Sequence, residues 1–275
     1  MISQLYVYRL CYYIYMYPVL LRFGPLTIHT YGFLLAVGFL IGMGLALRQA
    51  KKEGIPSDKI LDLGFYILLA AIIGSRLFFI LINLGHYIQN PLDIFKIWEG
   101  GLVFYGGVIL AIPTVIWYVK KNSLGIWNTA DIFSPSIAIG HAFGRLGCFA
   151  AGCCYGKTAE SLPWGVVFTD PECLAPTNIL LHPTQLYESA GEFINFLLLV
   201  AIRKNKAFNG QIFMTYLLLY SVLRFIIEIF RGDTARGFLI SGISVSQGIS
   251  ILMFLVGVTG LIVLKRRGHN NQSSM

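Results

Sequence analysis

Charged residues are scarce in this sequence. Asp, Glu, Lys and Arg make up only 12% of its 275 residues, whereas a soluble domain carries about 25%. A soluble protein of this size has too much surface to cover for such a deficit, so an ordinary soluble domain is excluded. The hydrophobic residues, 56% of the chain, lie in long blocks, which is typical of membrane-spanning helices.

The sequence also lacks a recognisable secretory signal. Residues 1–16 are rich in tyrosine and show no basic start followed by an apolar stretch and a small-residue cleavage site. Met16 begins a more ordinary opening, so an extension and an incorrectly assigned start are the two interpretations of residues 1–15. The sequence shows no internal repeat and no low-complexity tract.

The sequence contains long apolar blocks. From them we predict an all-α integral membrane protein with about seven transmembrane helices and a small extracytoplasmic elaboration. The predicted spans are 31–47, 61–84, 102–119, 129–144, 186–202, 211–230 and 241–264.

The formal net charge of +8 comes mostly from residues between these blocks. This distribution favours anchoring at a membrane surface over nucleic-acid binding. With the N-terminus outside, the cytoplasmic segments carry twelve Lys and Arg residues and the outer segments carry seven. Because positive charge favours cytoplasmic loops, we predict an outer N-terminus and a cytoplasmic C-terminus.

The domain organisation follows from these spans. We expect an N-terminal interfacial segment at 1–30, a seven-helix membrane domain at 31–264 and a cytoplasmic tail at 265–275. The longest connection, 145–185, is expected on the outer side. It contains Gly, Pro, Cys and Trp but too few strand signals for a separate domain.

Several charged residues are expected at or near membrane depth, where charges are costly and mark function. Arg76 lies in the second predicted span, Arg145 directly follows the fourth, and Arg224 and Glu228 lie in the sixth. Arginines at one membrane face predict an anionic ligand, because guanidinium binds phosphate bidentately. In a membrane cavity, such a phosphate belongs most naturally to a phospholipid headgroup.

The sixth span carries polar residues at helical spacing. Tyr220, Arg224, Glu228 and Arg231 recur at intervals of four, four and three residues, so they share one helix face. An ion-pair ladder within the bundle explains Glu228 as well as a catalytic role does. An ion transporter would carry carboxylates on several spans, whereas we predict few acids in these spans besides Glu228, with Asp62 and Asp131 near span ends.

Glycine-rich pieces flank these charges. Gly106 and Gly107 begin the third span, and the segment 144–156 follows the fourth. Glycines let backbone approach a ligand closely, and they also let helices pack closely. Both interpretations stand for Gly106 and Gly107, whereas a ligand-approaching loop is favoured for 144–156.

Five motifs together form a specific pattern, although each alone is weak. They are Ile28-His29-Thr30-Tyr31-Gly32, Gly100-Gly101 with Tyr105-Gly106-Gly107, Gly144-Arg145-Leu146-Gly147 through Gly156, His182-Pro183-Thr184-Gln185-Leu186-Tyr187-Glu188, and Tyr220 through Arg231. In this order, from about Pro18 to Lys265, the chain resembles the prolipoprotein diacylglyceryl transferase family.

The resemblance implies a transferase of the bacterial cytoplasmic (inner) membrane. Such enzymes move the diacylglyceryl group of phosphatidylglycerol onto the lipobox cysteine in the signal peptide of a preprolipoprotein. A thioether forms and glycerol phosphate leaves. The implied partners are phosphatidylglycerol, the preprolipoprotein and membrane lipid, with no nucleic acid, and neither a metal nor an organic cofactor is implied.

The resemblance also implies site residues. It places Tyr31, Arg145, Gly156, Tyr220, Arg224 and Glu228 at positions that the family uses for catalysis or lipid binding. With the residues themselves, we predict Arg145, Arg224, Tyr105, Tyr31 and Glu228 as catalytic residues. We predict Arg145, Arg224, Tyr220, Gly106, Gly107, Gly156 and His182 as substrate-binding residues. For His182 a position at a helix entry is the plainer interpretation, because Pro183 suits a first helical position.

The chain departs from the family pattern at three positions. Well-studied relatives have His in place of Tyr105, Asn in place of Cys148 and Glu in place of Cys153. The group that accepts the proton of the substrate thiol is therefore open. Because a tyrosine hydroxyl is a poor general base at neutral pH, we favour Tyr105 as a hydrogen-bond donor to the phosphate over Tyr105 as the base.

Four of the five cysteines, Cys148, Cys153, Cys154 and Cys173, lie in the outer segment. Zinc binding, disulfides and packed free thiols are the alternatives. The spacing lacks Cys-x-x-Cys knuckles, so packed free thiols are favoured. If the family chemistry requires the missing His, Asn and Glu, the chain is a non-transferase paralogue that binds lipid or carries out thiol redox chemistry. A small-solute transporter is a third alternative.

Overall fold

The computed structural model describes residues 17–24, 26–96, 100–159, 162–232, 238–240 and 243–272. The chain divides into two compact units. The first unit consists of Met1–Leu45 and Ala130–Met275, and the second unit is Ala46–Thr129. The predicted interfacial segment at 1–30 lies partly outside the described residues.

The described residues are mostly helical. Their helices are α1 (Thr30–Lys52), α2 (Ser57–Ile82), the short α3 (Leu84–Gln89), α4 (Phe104–Lys121), α5 (Ile126–Ala151), α6 (Thr184–Arg203), α7 (Gln211–Ile229) and α8 (Val245–Gln272), with a 3-10 helix at Pro91–Phe95. Three two-stranded antiparallel ladders complete the described elements: β1 (Val19–Phe23) with β2 (Leu26–His29), β3 (Val166–Val167) with β4 (Leu180–Leu181), and β5 (Phe238–Ile240) with β6 (Ile243–Ser244).

Four helices are long and apolar enough to cross a membrane. They are α1, α2, α7 and the part of α8 from Val245 to Arg267. Large apolar side chains on them are exposed, such as Leu40 at 68% and Leu252 at 63%. Lipid, unlike water, makes such a surface favourable. The chain is thus a predominantly helical membrane protein, and each of these four helices coincides with a predicted span.

Several helix boundaries differ from the sequence prediction, and the end of α5 changes the position of a predicted site residue. The fourth block was expected to end at 144, but α5 continues to Ala151. Arg145 therefore lies inside the helix, where it has polar partners on its own helix and on α6. These partners compensate the charge of Arg145, so the helix can continue through this position at membrane depth. The helix ends at Gly152, whose φ of +69° suits glycine.

Within the second unit, α2 and α4 pack backbone to backbone. A Cβ added to Gly106 would lie 2.4 Å from the Gly74 carbonyl oxygen, and one added to Gly107 would lie 2.9 Å from the Ala71 carbonyl oxygen. Small residues allow this approach. The structure therefore gives both glycines a packing role, and their assignment to substrate binding stays a prediction.

Within the first unit, polar contacts join the helices around α6. Ser189 on α6 donates a 2.9 Å hydrogen bond to the Ala142 carbonyl oxygen on α5. At the far end of α5, the fully buried carboxylate of Asp131 accepts hydrogen bonds from the backbone N–H groups of Gly210 and Phe213, at 2.7 and 2.9 Å. These hydrogen bonds join α5 to α6 and join α5 to the start of α7.

Candidate active site

A buried carboxylate on α6 lies between two arginines. Glu188 Oε1 is 3.1 Å from Arg145 Nη2 on α5, and Glu188 Oε2 is 3.7 Å from Arg224 Nη1 on α7. The Glu188 side chain is only 1% exposed. Two guanidinium groups from different helices thus meet at one carboxylate, which offsets the cost of burying all three charges. The structure brings the two predicted arginines together.

The α7 side of this cluster follows from helical spacing. Arg224 Nη2 is 2.8 Å from Glu228 Oε2 four residues later, so the predicted ion pair on one helix face is present. Arg224 Nη2 also donates to Ser246 Oγ at 3.2 Å, and Ser244 Oγ donates to Glu228 Oε1 at 2.9 Å. Ser244 ends β6 and Ser246 lies in the first turn of α8, so both serines orient the pair from outside α7.

The α5 side contains a histidine. Arg145 Nε donates to His141 Nε2 at 3.1 Å. An accepting Nε2 carries no proton in that arrangement, so the proton of a neutral His141 belongs on Nδ1, which lies 3.9 Å from Glu192 Oε1. His141 packs against the ring of Tyr220 with 5.6 Å between centroids. Tyr220 therefore borders the cluster, and its role in substrate binding stays a prediction.

The prediction that the spans hold few acids besides Glu228 was wrong. Glu188 and Glu192 both lie in α6, both are essentially fully buried, and both are part of the cluster. Asn195 Nδ2 donates to Glu192 Oε1 at 3.3 Å. The spacing of four residues between Glu188 and Glu192 on an apolar helix was the signal that could have found them.

One arginine group in this cluster is poorly satisfied. Among the described residues, Arg224 Nη1 has no hydrogen-bond partner, and its 3.7 Å approach to Glu188 is longer than a hydrogen bond. A buried donor left in that state costs free energy. It is suited to a further acceptor, such as a phosphate oxygen.

Three cysteine sulfurs lie beside this arginine–glutamate cluster. The Sγ atoms of Cys148, Cys153 and Cys154 lie within 4.8 Å of one another, and all three residues are half-buried. Hydrogen bonds from the Cys148 and Cys153 thiols, followed by the charges of Arg145 and Arg231, lower the pKa of Cys154 below its ordinary value. All three are free thiols.

The fourth cysteine of the outer segment is separate from these three. Cys173 is also a free thiol, and it packs against the apolar cluster around Phe168 and Leu181. Burial raises the pKa of Cys173. The structure therefore contains no disulfide among the described cysteines, and the prediction of free thiols agrees with it.

Gly156 joins the outer connection to the end of α7. Its N–H donates to the His182 carbonyl oxygen at 2.9 Å, and it bridges to Arg231. A Cβ added to Gly156 would lie 2.7 Å from the Phe230 carbonyl oxygen. A glycine is therefore required here for the close backbone contact. This contact brings the chain that follows the three cysteines next to the residues at the end of α7.

His182 lies beside aromatic rings. Its ring centroid is 5.5 Å from that of Phe230, and its Nδ1 is 3.5 Å from the Tyr187 hydroxyl oxygen. Burial and the charge of Lys157 lower the pKa of His182, so at neutral pH the imidazole is uncharged. It directly precedes the turn into α6, in agreement with the helix-entry interpretation.

Tyr31 lies at the first turn of α1 and contacts α5. A Cβ added to Gly147 would lie 3.1 Å from the Tyr31 carbonyl oxygen and 3.0 Å from its ring. The Tyr31 side chain is 40% exposed. Gly147 thus lets the first helix approach the segment between Arg145 and Cys148.

Tyr105 belongs to the second unit, whereas the arginines belong to the first. It lies in the first turn of α4, it is 54% exposed, and its ring packs edge-on against Phe104. The loop before it is held by Arg76, which donates to the carbonyl oxygens of Asp93 and Gly100 at 2.5 and 2.8 Å. Arg76 therefore positions backbone rather than a ligand.

The fold and the site define a helical membrane protein with a buried arginine–glutamate cluster, one of whose donors is suited to an anionic group. The family model for prolipoprotein diacylglyceryl transferase matches residues 18–263. The chain belongs to the prolipoprotein diacylglyceryl transferase family, so the resemblance noted in the sequence is confirmed.

Individual relatives agree along nearly their whole length. The chain is 37% identical over 243 residues to the phosphatidylglycerol--prolipoprotein diacylglyceryl transferase of Clostridium tetani, covering 88% of this chain and 96% of that protein. It is 39% identical over 238 residues to the Finegoldia magna enzyme of the same name, covering 86% and 91%. Over 255 residues it is 34% identical to that of Geobacter sulfurreducens, covering 91% and 96%.

Proposed function

We propose that this protein transfers the diacylglyceryl group of phosphatidylglycerol to the lipobox cysteine of preprolipoproteins. The sulfur attacks the glycerol carbon that carries the phosphate oxygen. A C–S bond forms, the C–O bond breaks, and glycerol phosphate leaves with the electron pair. The observation that carries this proposal is the convergence of Arg145 and Arg224 on Glu188 in a buried position.

The two arginines would bind the phosphate and stabilise the charge that develops on the leaving group. Arg224 has an unsatisfied Nη1, and Arg145 keeps a side chain that is 15% exposed. Glu188 and Glu228 would hold the guanidiniums in position before substrate binds, which lowers the reorganisation needed in the transition state. We assign Tyr220 to the wall of the same site.

The remaining site residues have supporting roles in this proposal. Tyr31, Gly156 and His182 would border the bound substrates. The role of Tyr105 as a hydrogen-bond donor to the phosphate is kept as the sequence prediction and rests on the sequence alone.

The proposal includes a finer topology. All seven long helices would cross the inner membrane, with the N-terminus outside and the C-terminus cytoplasmic. Polar residues such as Glu188 and Glu192 lower the apolar character of α6 but lie in the bundle interior, where membrane proteins tolerate them. The 12-to-7 distribution of basic residues supports the orientation.

Complementation tests the function. The gene is expressed in a bacterium depleted of its own transferase, and a reporter lipoprotein is analysed by mass spectrometry. We expect growth to be restored and the reporter to gain the mass of one diacylglyceryl group. A reporter with Ser in place of the lipobox Cys is the control and should stay unmodified. An unmodified Cys reporter, with the protein present in the membrane, would contradict the proposal.

A further inference from the structure

Three thiols converge at the end of α5 although their sequence spacing does not suggest it. Cys148 lies in the last turn of the helix, and Cys153 and Cys154 follow it. Gly152, with φ of +69°, turns the chain, and the Cys153 N–H donates to the Cys148 carbonyl oxygen at 3.0 Å. Cys154 itself has φ of +62°. This turn points the three sulfurs at one another, and we call them the thiol triad.

The backbone of the triad is fixed by α6. Gln185 Nε2 donates to the Cys153 carbonyl oxygen at 2.8 Å, and Thr184 Oγ1 donates to the Cys154 carbonyl oxygen at 2.9 Å. Gln185 and Thr184 are essentially fully buried, at 0% and 1% exposure. Hydrogen bonds from buried side chains to a loop that carries ligand residues orient the ligands before they bind.

The sulfur spacing fits a small thiophilic cation. Zinc binds thiolate sulfur at about 2.3 Å, which places the sulfurs of a tetrahedral site about 3.8 Å apart. The triad sulfurs lie within 4.8 Å of one another, so a contraction of at most about 1 Å closes the site. Three protein ligands with a fourth position open is the arrangement of catalytic rather than structural zinc.

The thiol triad lies close to Arg145 of the arginine–glutamate cluster. Cys148 lies three residues after Arg145 on α5, so the two side chains share a helix face. All three cysteines are half-buried rather than enclosed. The positive charges of Arg145 and Arg231 act on Cys154, and they would partly balance the net negative charge of three thiolates around a divalent cation.

We propose that the thiol triad binds one zinc ion and leaves a fourth position for the cysteine sulfur of the substrate. This inference rests on the proposed function. Zinc-bound thiols are deprotonated and remain nucleophilic. The substrate thiol releases its proton to solvent as it binds. Its sulfur then attacks the glycerol carbon, the C–O bond breaks, and the electron pair leaves on glycerol phosphate held by Arg145 and Arg224.

This proposal differs from the sequence expectation, which included no metal because the spacing lacks Cys-x-x-Cys knuckles. It also supplies a way to form the thiolate without a strong general base at Tyr105. Here the end of one helix and the turn after it bring the ligand sulfurs together, whereas structural zinc sites commonly use two Cys-x-x-Cys knuckles.

Metal binding is tested on the full protein, purified in detergent with a reductant. We expect about one zinc per chain in the wild type. The single variants Cys148→Ser, Cys153→Ser and Cys154→Ser should each lose zinc affinity by more than about 100-fold, beyond the loss typical of an outer-shell residue. Cys173→Ser is the matched control, since Cys173 lies in the outer segment but outside the triad, and it should keep the metal.

Cobalt substitution tests the role of the fourth position. Wild-type protein loaded with Co²⁺ should show thiolate-to-cobalt charge transfer and the visible bands of a tetrahedral site. Addition of a lipobox peptide should change these bands, whereas the same peptide with Ser in place of Cys should not. Bands that stay unchanged with the Cys peptide would overturn the proposed substrate position.

The outcomes separate the metal from the transferase function. Removal of metal from the wild type by a chelator should abolish transfer, and added zinc should restore it, which excludes simple misfolding. Full transfer by chelated protein or by the triad variants would overturn the metal proposal and leave the function standing. Absence of transfer in metal-loaded wild type, with the cobalt response intact, would instead count against the proposed function. Failure of the wild type to bind metal would also overturn the metal proposal, as would oxidation of two triad thiols to a disulfide in reductant-free protein.

Discussion

The Glu188 carboxylate lies 3.1 Å from the guanidinium of Arg145 and is 1% exposed, so this ion pair is buried between α5 and α6. A second ion pair, between Arg22 and Glu172, is by contrast exposed to at least 50% on both sides. The two pairs have the same chemistry but opposite surroundings. Their comparison separates the buried cluster from ordinary surface charge.

We expect Glu188→Ala to lower the free energy of unfolding by about 3–5 kcal/mol, because it leaves buried guanidinium charge uncompensated. Thermal unfolding in detergent measures the loss. Glu172→Ala is the control and should change stability by less than about 1 kcal/mol. Equal effects of the two substitutions would contradict the assigned burial of the Glu188 pair.

We expect Arg145→Ala and Arg224→Ala each to abolish diacylglyceryl transfer while the protein still accumulates in the membrane. Loss of a buried charged contact costs about 2–5 kcal/mol, which is about 30-fold to several thousand-fold in rate. Arg224→Lys keeps the charge but not the planar fork and should retain part of the activity. Transfer at the wild-type rate in both alanine variants would refute phosphate binding by these arginines.

Tyr105→Phe should lower transfer by less than Arg145→Ala and should leave the pH profile of the reaction in place. The reason is that a neutral hydrogen bond contributes less than a charged one. Rates measured across pH with both variants provide the test. If Tyr105→Phe is as inactive as Arg145→Ala, the tyrosine is the base and the hydrogen-bond assignment is wrong.

Gly106→Ala should destabilise the protein by about 1–3 kcal/mol, because the added methyl group would press against the Gly74 backbone at 2.4 Å. Gly44→Ala is the matched control on α1, where the space beside the glycine is open. It should be neutral or stabilising, since alanine favours a helix by about 1 kcal/mol over glycine. Unfolding temperatures that do not differ would exclude tight packing at Gly106.

Reporter fusions test the orientation. A fusion after Lys265 should be active only with a cytoplasmic reporter, and a fusion within 157–159 only with an exported one, because the basic residues favour a cytoplasmic C-terminus. An exported signal from the Lys265 fusion would reverse the proposed topology.

Local patterns in the sequence predicted much of this structure. Each predicted apolar block corresponds to a long helix, and the spacing of Arg224 and Glu228 correctly predicted their ion pair. Both features depend on residues close in sequence. The class of protein was also readable, because five ordered motifs are specific even when each is weak.

Long-range contacts were harder to predict. Glu188 and Arg145 are 43 positions apart in the chain and lie on different helices. No local spacing in the sequence reveals that they form an ion pair. The thiol triad depends on two residues with positive φ near Cys153, a backbone geometry that the residue types alone do not impose. Such sites require the packing of whole helices before their residues come together.

Arg76 has a consequence beyond its own helix. Its guanidinium donates to the carbonyl oxygens of Asp93, Ile94, Lys96, Gly100 and Gly101. Irregular backbone near a bilayer needs internal partners, because lipid offers its polar groups none. One buried side chain thus supplies the hydrogen-bond partners that five backbone carbonyl groups before α4 would otherwise lack at membrane depth.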